Sequence, residues 1–305
     1  MSVTTESSRH LAAVSPPIKT VGVVGAGTMG SGIAVVTARA GYRTVLCDLD
    51  EKNLVRGMDT ARGFLLKSVE KGKLTDEAGQ LAMANLSAAT TLTGLADADV
   101  VIEAIFEDLT IKQQLWSDLD AVVAPETLFH TNTSTLPVAG IAAGSKLPNR
   151  VVGTHYCNPA PLMSLVELVR GRQTDDDAYQ RTSAFIKSLD KVTVTVKDQP
   201  GFIVNRFLIP WENNVIRALE AGLGTVESID LAVVKGLGHP MGPFRLLDIV
   251  GMDIHKEVAM RLYEQFRDPR FAPPPLVDRM IAAGDLGRKT GRGFYAYNDS
   301  QLFGV

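Results

Sequence analysis

Residues 19–48 constrain this chain more than any other stretch. Lys19 to Val24 is a continuous, largely β-branched run, the pattern of a strand buried on both faces. It leads directly into Gly25-Ala26-Gly27-Thr28-Met29-Gly30. A helical stretch from Ser31 to Ala40 follows, closed by Gly41, and a second strand, Thr44 to Cys47, ends at Asp48. The order is strand, G-x-G-x-x-G, helix, strand, acid, and each part has a mechanical purpose. Gly25 permits the tight turn, Gly27 lets the backbone approach a pyrophosphate, and Gly30 lets helix and strand pack closely. The helix N-terminus then presents free N–H groups and a positive dipole to the phosphates. Asp48 can accept from both ribose hydroxyls and would repel a 2′-phosphate, which favours NAD over NADP; FAD uses the same fingerprint and competes.

Further buried strands follow. Glu51 to Lys71 reads as a helix and Asp76 to Asn85 as a shorter one. Lys67, Lys71 and Lys73 cluster near their junction, as a solvated surface or as a contact for an anionic substrate handle. Asp99 to Ala104 is a strand, Ile105-Phe106-Glu107 a turn, and Leu109 to Val123 an amphipathic helix. Leu128 to Thr131 is the next strand and opens into Asn132-Thr133-Ser134-Thr135. Ligands of open parallel sheets lie beyond the carboxyl ends of the strands, where Glu107, Asn132 and Ser134 fall. The same Asn and Ser side chains also suit capping of a helix expected near Pro137.

Val151 to Val169 reads as a strand, a proline-broken turn and a returning strand. His155 lies near the end of the first strand and Glu167 in the second. If the strands pair, the two meet, the carboxylate fixes the imidazole tautomer, and the other ring nitrogen is left to take a proton. A core histidine satisfied by a backbone carbonyl is the competing reading. A helix from Asp175 to Leu189 and a strand from Val192 to Val196 complete the α/β pattern, and strands then stop. Helical periodicity takes over with Phe202 to Ala221, which carries Asn205 and Arg206, and with Val226 to Lys235, ended by Gly236. The rigid turn Gly238 to Pro243 precedes a helix through Asp248, further helices reach Ala283, and a Gly-rich basic and aromatic tail runs from Gly287 to Tyr297. The expected organisation is a flexible leader, 1–17, a Rossmann-type NAD-binding domain with a mostly parallel sheet, 18–199, and an all-helical domain, 200–305, to which the resemblance given below assigns substrate binding and dimerisation.

Composition excludes several classes. The net charge of -3 gives no basic field for nucleic acid or an anionic membrane. No apolar run is long enough to span a bilayer, and Met1 to Pro17 lacks the apolar core of a signal peptide. The two cysteines, Cys47 and Cys157, are expected in different strands, form no zinc-ligand spacing, and fit a reducing, cytoplasmic setting. No metal site is expected.

From Val21 to Tyr297 the chain resembles the short-chain L-3-hydroxyacyl-CoA dehydrogenases, or 3-hydroxybutyryl-CoA dehydrogenases. The resemblance is carried by GAGTMGSGIA, EAIFED, TNTST, GTHYCNPAPLMSLVELV, PGFIVNR, GHPMGPFRLLD and GRKTGRGFYAY. It implies NAD as cofactor, an acyl-CoA thioester substrate and a homodimer through the helical half. It assigns Gly25, Ala26, Gly27, Thr28, Met29, Gly30, Asp48, Glu107, Lys112, Asn132, Asn158 and Lys289 to the cofactor. It makes His155 the catalytic base and Glu167 its partner, puts Ser134 near the substrate hydroxyl and nicotinamide, gives Asn205 to the substrate, and matches Lys71 to a lysine holding the CoA phosphates. The family commonly carries two phenylalanines after the histidine, where this chain has Tyr156 and Cys157, so a smaller or more polar active-site wall is expected. Competing readings are an acyl group on a carrier protein, a dehydrogenase of a free hydroxy or sugar acid, and a non-enzymatic NAD sensor or lens-type protein.

Overall fold

The computed structural model describes residues 17–298, so of the expected leader only Pro17 falls within them. The chain runs β1 (Thr20–Val24), α1 (Thr28–Arg39), β2 (Arg43–Cys47), α2 (Glu51–Glu70), α3 (Asp76–Ala84), β3 (Leu86–Ala89), β4 (Val100–Glu103), α4 (Leu109–Leu119), β5 (Leu128–Thr131), α5 (Val138–Ala142), β6 (Val151–Tyr156), β7 (Leu165–Arg170), α6 (Asp176–Ser188) and β8 (Val192–Lys197). Helices alone follow: α7 (Val204–Glu220), α8 (Val226–Leu237), α9 (Pro243–Val250), α10 (Met252–Phe266) and α11 (Pro275–Ala283).

The strands form one sheet in the order β3-β2-β1-β4-β5-β6-β7-β8. All neighbours are parallel except β6 and β7. Strand order reverses at β1, between β2 and β4, which opens a crevice beyond their carboxyl ends. Every residue of β1, β4, β5 and β6 is buried, because helices cover both faces. One apolar layer, with Val21, Ile33, Val152 and Tyr156, lies on one face; the other holds Val101, Trp116, Phe129 and Phe202. The helical half has cores of its own around Ile216, Phe244 and Met252, and around Ala259 and Leu262.

Several boundaries differ from the sequence reading for local reasons. Helix α1 starts at Thr28, not Ser31, so Gly30 sits inside its first turn. Helix α4 stops at Leu119, short of Val123, although Val123 remains buried; the apolar periodicity outlasts the helix. There the carboxylate of Asp120 turns aside to Arg150 and Ser145. Helix α8 continues through Gly236 and ends at Gly238, whose φ of 72° is the left-handed turn that glycine makes at low cost. The short strand β3 was not expected, since Leu-Ser-Ala-Ala carries little strand signal. Cys157 lies one residue beyond β6 and not within a strand.

Candidate active site

The glycine turn is shaped by what glycine leaves out. Gly25 has φ +99°, and a Cβ there would lie 2.5 Å from the carbonyl oxygen of Ala104 at the end of β4. A Cβ on Gly30 would fall 1.7 Å from the Gly25 carbonyl oxygen. Around Gly27, by contrast, nothing lies within 4 Å, so the backbone there is open to a ligand. Gly27 caps α1 with no side-chain hydrogen bond, and the first turn, with Thr28 and Met29, carries no acid. The N–H groups and dipole of a twelve-residue helix therefore face an open cradle, an environment that fits a pyrophosphate. Asp48 closes one side. Its carboxylate accepts from Ala26 N at 2.8 Å and Asp50 N at 2.9 Å, one bond per oxygen, which leaves further lone pairs for ribose hydroxyls. Overpacking costs about 1–3 kcal/mol. Gly30→Ala is accordingly expected to weaken NAD binding by roughly 10- to 100-fold, measured by fluorescence titration.

Across the crevice, antiparallel register sets His155 directly opposite Glu167. His155 Nδ1 is 2.7 Å from Glu167 Oε2, and because a carboxylate only accepts, Nδ1 is the donor. The second carboxylate oxygen accepts from the backbone N–H of Ile203 at 2.8 Å and of Val204 at 3.1 Å, where α7 begins. His155 Nε2 then faces the Ser134 hydroxyl at 3.0 Å. Both ring nitrogens meet side chains, so the reading of a histidine satisfied by a backbone carbonyl does not hold. Phe202 closes one side of the ring, and Glu167 is fully buried.

Ser134 is itself held by Glu107. One oxygen of Glu107 accepts from Thr133 Oγ1 at 2.6 Å, Ser134 N at 2.9 Å, Thr135 N at 2.9 Å and Thr135 Oγ1 at 3.0 Å. The other meets Lys112 Nζ at 3.3 Å. Lys112 is buried and also pairs with Glu103, which accepts from Thr131 Oγ1 at 2.7 Å. Expected as a cofactor contact, Lys112 reaches the crevice through Glu107. Asn132 accepts from Tyr156 N at 2.9 Å, tying β5 to β6. Neither Asn132 nor Ser134 caps α5: its first N–H groups, from Val138 and Ala139, donate to Asp198, each at 2.8 Å.

The remaining candidates are placed less centrally. Asn158 is exposed in the turn after β6, and Asn205 is half-buried at the second position of α7. Lys71 stands exposed at the C-terminal end of α2. Lys289 pairs with both oxygens of Asp253 at 2.6 Å within the helical half. Tyr156 corrects an expectation. Alternation along β6 turns it to the sheet face opposite His155, into the core, where its hydroxyl has no hydrogen-bond partner. It is not part of an active-site wall. Cys157 keeps to the histidine's side, and burial, with the nearby Glu167, pushes its thiol up to about 11. Sequence reading missed the Glu107 clamp; the hydroxyl-rich run at 131–135 was its one visible trace.

Burial alone would raise Glu107 and Glu167. Lys112 and the hydroxyl and N–H donors outweigh it at Glu107, as His155 and the N–H groups of Ile203 and Val204 do at Glu167. Both carboxyls therefore lie below the usual carboxylate range in the folded protein. Their contribution to stability is complete above the unfolded-state value, about 4.3, and is lost as pH falls through the lower folded values. The melting temperature is expected to drop on acidification in this window, and less steeply for Glu107→Gln, as read by thermal melts across a pH series.

A reversed parallel sheet with a glycine cradle and an acid at the second strand defines a dinucleotide-dependent oxidoreductase. Residues 20–199 match the 3-hydroxyacyl-CoA dehydrogenase NAD binding domain, and 201–297 match the 3-hydroxyacyl-CoA dehydrogenase C-terminal domain. The chain belongs to the 3-hydroxyacyl-CoA dehydrogenase family and uses NAD. A 3-hydroxybutyryl-CoA dehydrogenase of Mycobacterium tuberculosis is 45% identical over 286 residues, covering 93% of this chain and 100% of that protein. Another, from Bradyrhizobium diazoefficiens, is 43% identical over 284 residues, 93% of this chain and 97% of the relative. The crystal structure of (S)-3-hydroxybutyryl-CoA dehydrogenase from Ralstonia eutropha superposes with a TM-score of 0.85 at 40% identity, covering 93% of this chain and all of that one.

Proposed function

We propose that this chain interconverts a short-chain (3S)-3-hydroxyacyl-CoA, of which 3-hydroxybutyryl-CoA is the first to test, and the 3-oxoacyl-CoA. The observation that carries the reading is the line Ser134–His155–Glu167 beside the nucleotide crevice. His155 Nε2 takes the proton from the C3 hydroxyl, and returns it in the reverse direction. Glu167 orients the ring and stabilises the imidazolium. Ser134, fixed by Glu107, donates to the oxygen where charge develops, with Asn205 from the helical half beside it. The glycine turn and Asp48 would hold NAD, whose nicotinamide would accept the hydride that leaves C3 as the hydroxyl proton passes to His155. Asn132, Asn158 and Lys289 complete the cofactor side of this reading, with Lys112 acting through Glu107, and Lys71 anchors the CoA phosphates, whose binding energy positions the reacting end.

The functional unit on this reading is a homodimer joined through the helical half. Phe207, Leu231 and Leu237 there are 73%, 59% and 66% exposed and offer apolar side chains for a second subunit to cover. Free cysteines at 47 and 157 support a reducing, cytoplasmic setting. No helix among the described residues is long and apolar enough to cross a membrane.

The test is NAD reduction, followed by absorbance, with (3S)-3-hydroxybutyryl-CoA. The (3R) epimer, free 3-hydroxybutyrate and the carrier-protein thioester are run in parallel. Turnover with the (3S)-CoA thioester alone supports the reading. Preference for the carrier-protein thioester or the free acid replaces it, and light scattering of the purified protein decides the dimer.

A further inference from the structure

We propose that Lys191 is a positioning residue for the reaction: its buried ammonium fixes the turn between β6 and β7 against α1, and so sets where His155 stands relative to the nucleotide cradle. The inference rests on His155 being the proton acceptor. Lys191, just ahead of β8, is 7% exposed. Its Nζ donates to the carbonyl oxygen of Ala160 at 2.8 Å and of Met163 at 2.7 Å. Among the described residues no carboxylate lies within ion-pair distance of it. A buried cation satisfied by carbonyl oxygens alone adds little net stability, because its desolvation opposes the gain. What two charge-assisted bonds add is direction: they hold two points of one turn at once.

That turn matters because of what it joins. It begins after Tyr156, next to His155, and ends at Leu165, two residues before Glu167. Its own bonds are few, with Leu162 N and Met163 N both donating to the Pro159 carbonyl at 3.0 Å. The turn also rests on α1. A Cβ added to Gly32 would be 3.1 Å from Pro161 Cδ and 3.5 Å from Ala160 Cβ, and Ala160 is buried in the core beneath. The turn, which carries Asn158, is therefore clamped between the Lys191 ammonium and the helix whose N-terminus forms the cradle. Lys191 touches no reacting atom and acts through the turn. Small misplacements of aligned groups are costly in rate, on the order of 100-fold per ångström.

Lys191→Met keeps the length of the side chain and removes the ammonium. In the full-length protein, kcat with 3-hydroxybutyryl-CoA is expected to fall on the order of tenfold. The KM for NAD is expected to rise, the KM for the thioester to hold, and the isotope effect from deuterium at C3 to grow as hydride transfer becomes limiting. Lys191→Arg should recover part of kcat. Gly32→Ala, which presses the turn from α1, should reproduce the pattern and keeps the question open to a test if Lys191→Met does not fold. A lowered melting temperature with unchanged kcat, KM and isotope effect per folded site, in Lys191→Met or in Gly32→Ala, overturns the inference. A wild-type protein that turns over no 3-hydroxyacyl thioester instead removes the reading of His155 beneath it.

Discussion

His155→Gln is expected to lower kcat by about 10³-fold, the central size of a general-base contribution, while NAD binding stays near the wild-type level. Glutamine fills most of the imidazole's volume and can still reach Ser134, so the loss isolates proton transfer from packing. On the proposed reading NAD binding draws on the Gly25–Gly30 turn and Asp48 across the crevice, and neither is hydrogen-bonded to His155. Titration with NAD and single-turnover kinetics separate the two quantities. Near-normal turnover in this variant would remove His155 from the chemistry.

Glu167→Gln is expected to cost at least as much, on the order of 10³- to 10⁴-fold in kcat, for a different reason. The N–H groups of Ile203 and Val204 will keep the amide oxygen where Oε1 now lies. The amide nitrogen then faces His155 Nδ1 and donates to it. Nδ1 becomes an acceptor, the proton moves to Nε2, and the face toward Ser134 can no longer take one. NMR of the ring nitrogens is expected to show the exchanged tautomer. Wild-type kcat together with an unchanged tautomer would dismiss this role for Glu167.

The two halves of the site were not equally legible in the sequence. The cradle was, because strand, glycines, helix and Asp48 follow one another without a gap. The reversal that could bring His155 to Glu167 was too, because the prolines between them break the run, but both strands are apolar on both faces, so the register that sets the two opposite each other came only with the structure. Glu107 was seen at a strand end, but its clamp on residues 133–135 joins separate crossovers, and no spacing encodes that. Asp198 as the cap of α5 is equally long-range. The side to which Tyr156 turns follows from alternation along its strand, opposite to His155, which the motif by itself does not display. A second histidine shows why a His–Glu pair alone is weak evidence. His255, buried in the helical half, meets Glu212 at 3.1 Å and the side-chain oxygen of Asn213 at 2.9 Å; that oxygen only accepts, so Nε2 must donate to it and offers no lone pair, whereas the Ser134 hydroxyl can donate to His155 Nε2.

Glu167 is shared property. One of its oxygens serves a ring on the sheet, and the other is gripped by the opening peptide groups of the first helix beyond the boundary. The chemistry is thereby wired to the seam of the molecule. Were the helical half to swing away, the imidazole would keep its place on β6 but its carboxylate would lose the two donors that aim it. If His155 is the proton acceptor proposed above, this arrangement is an interlock, in which proton transfer is competent only while both lobes are seated on the same side chain.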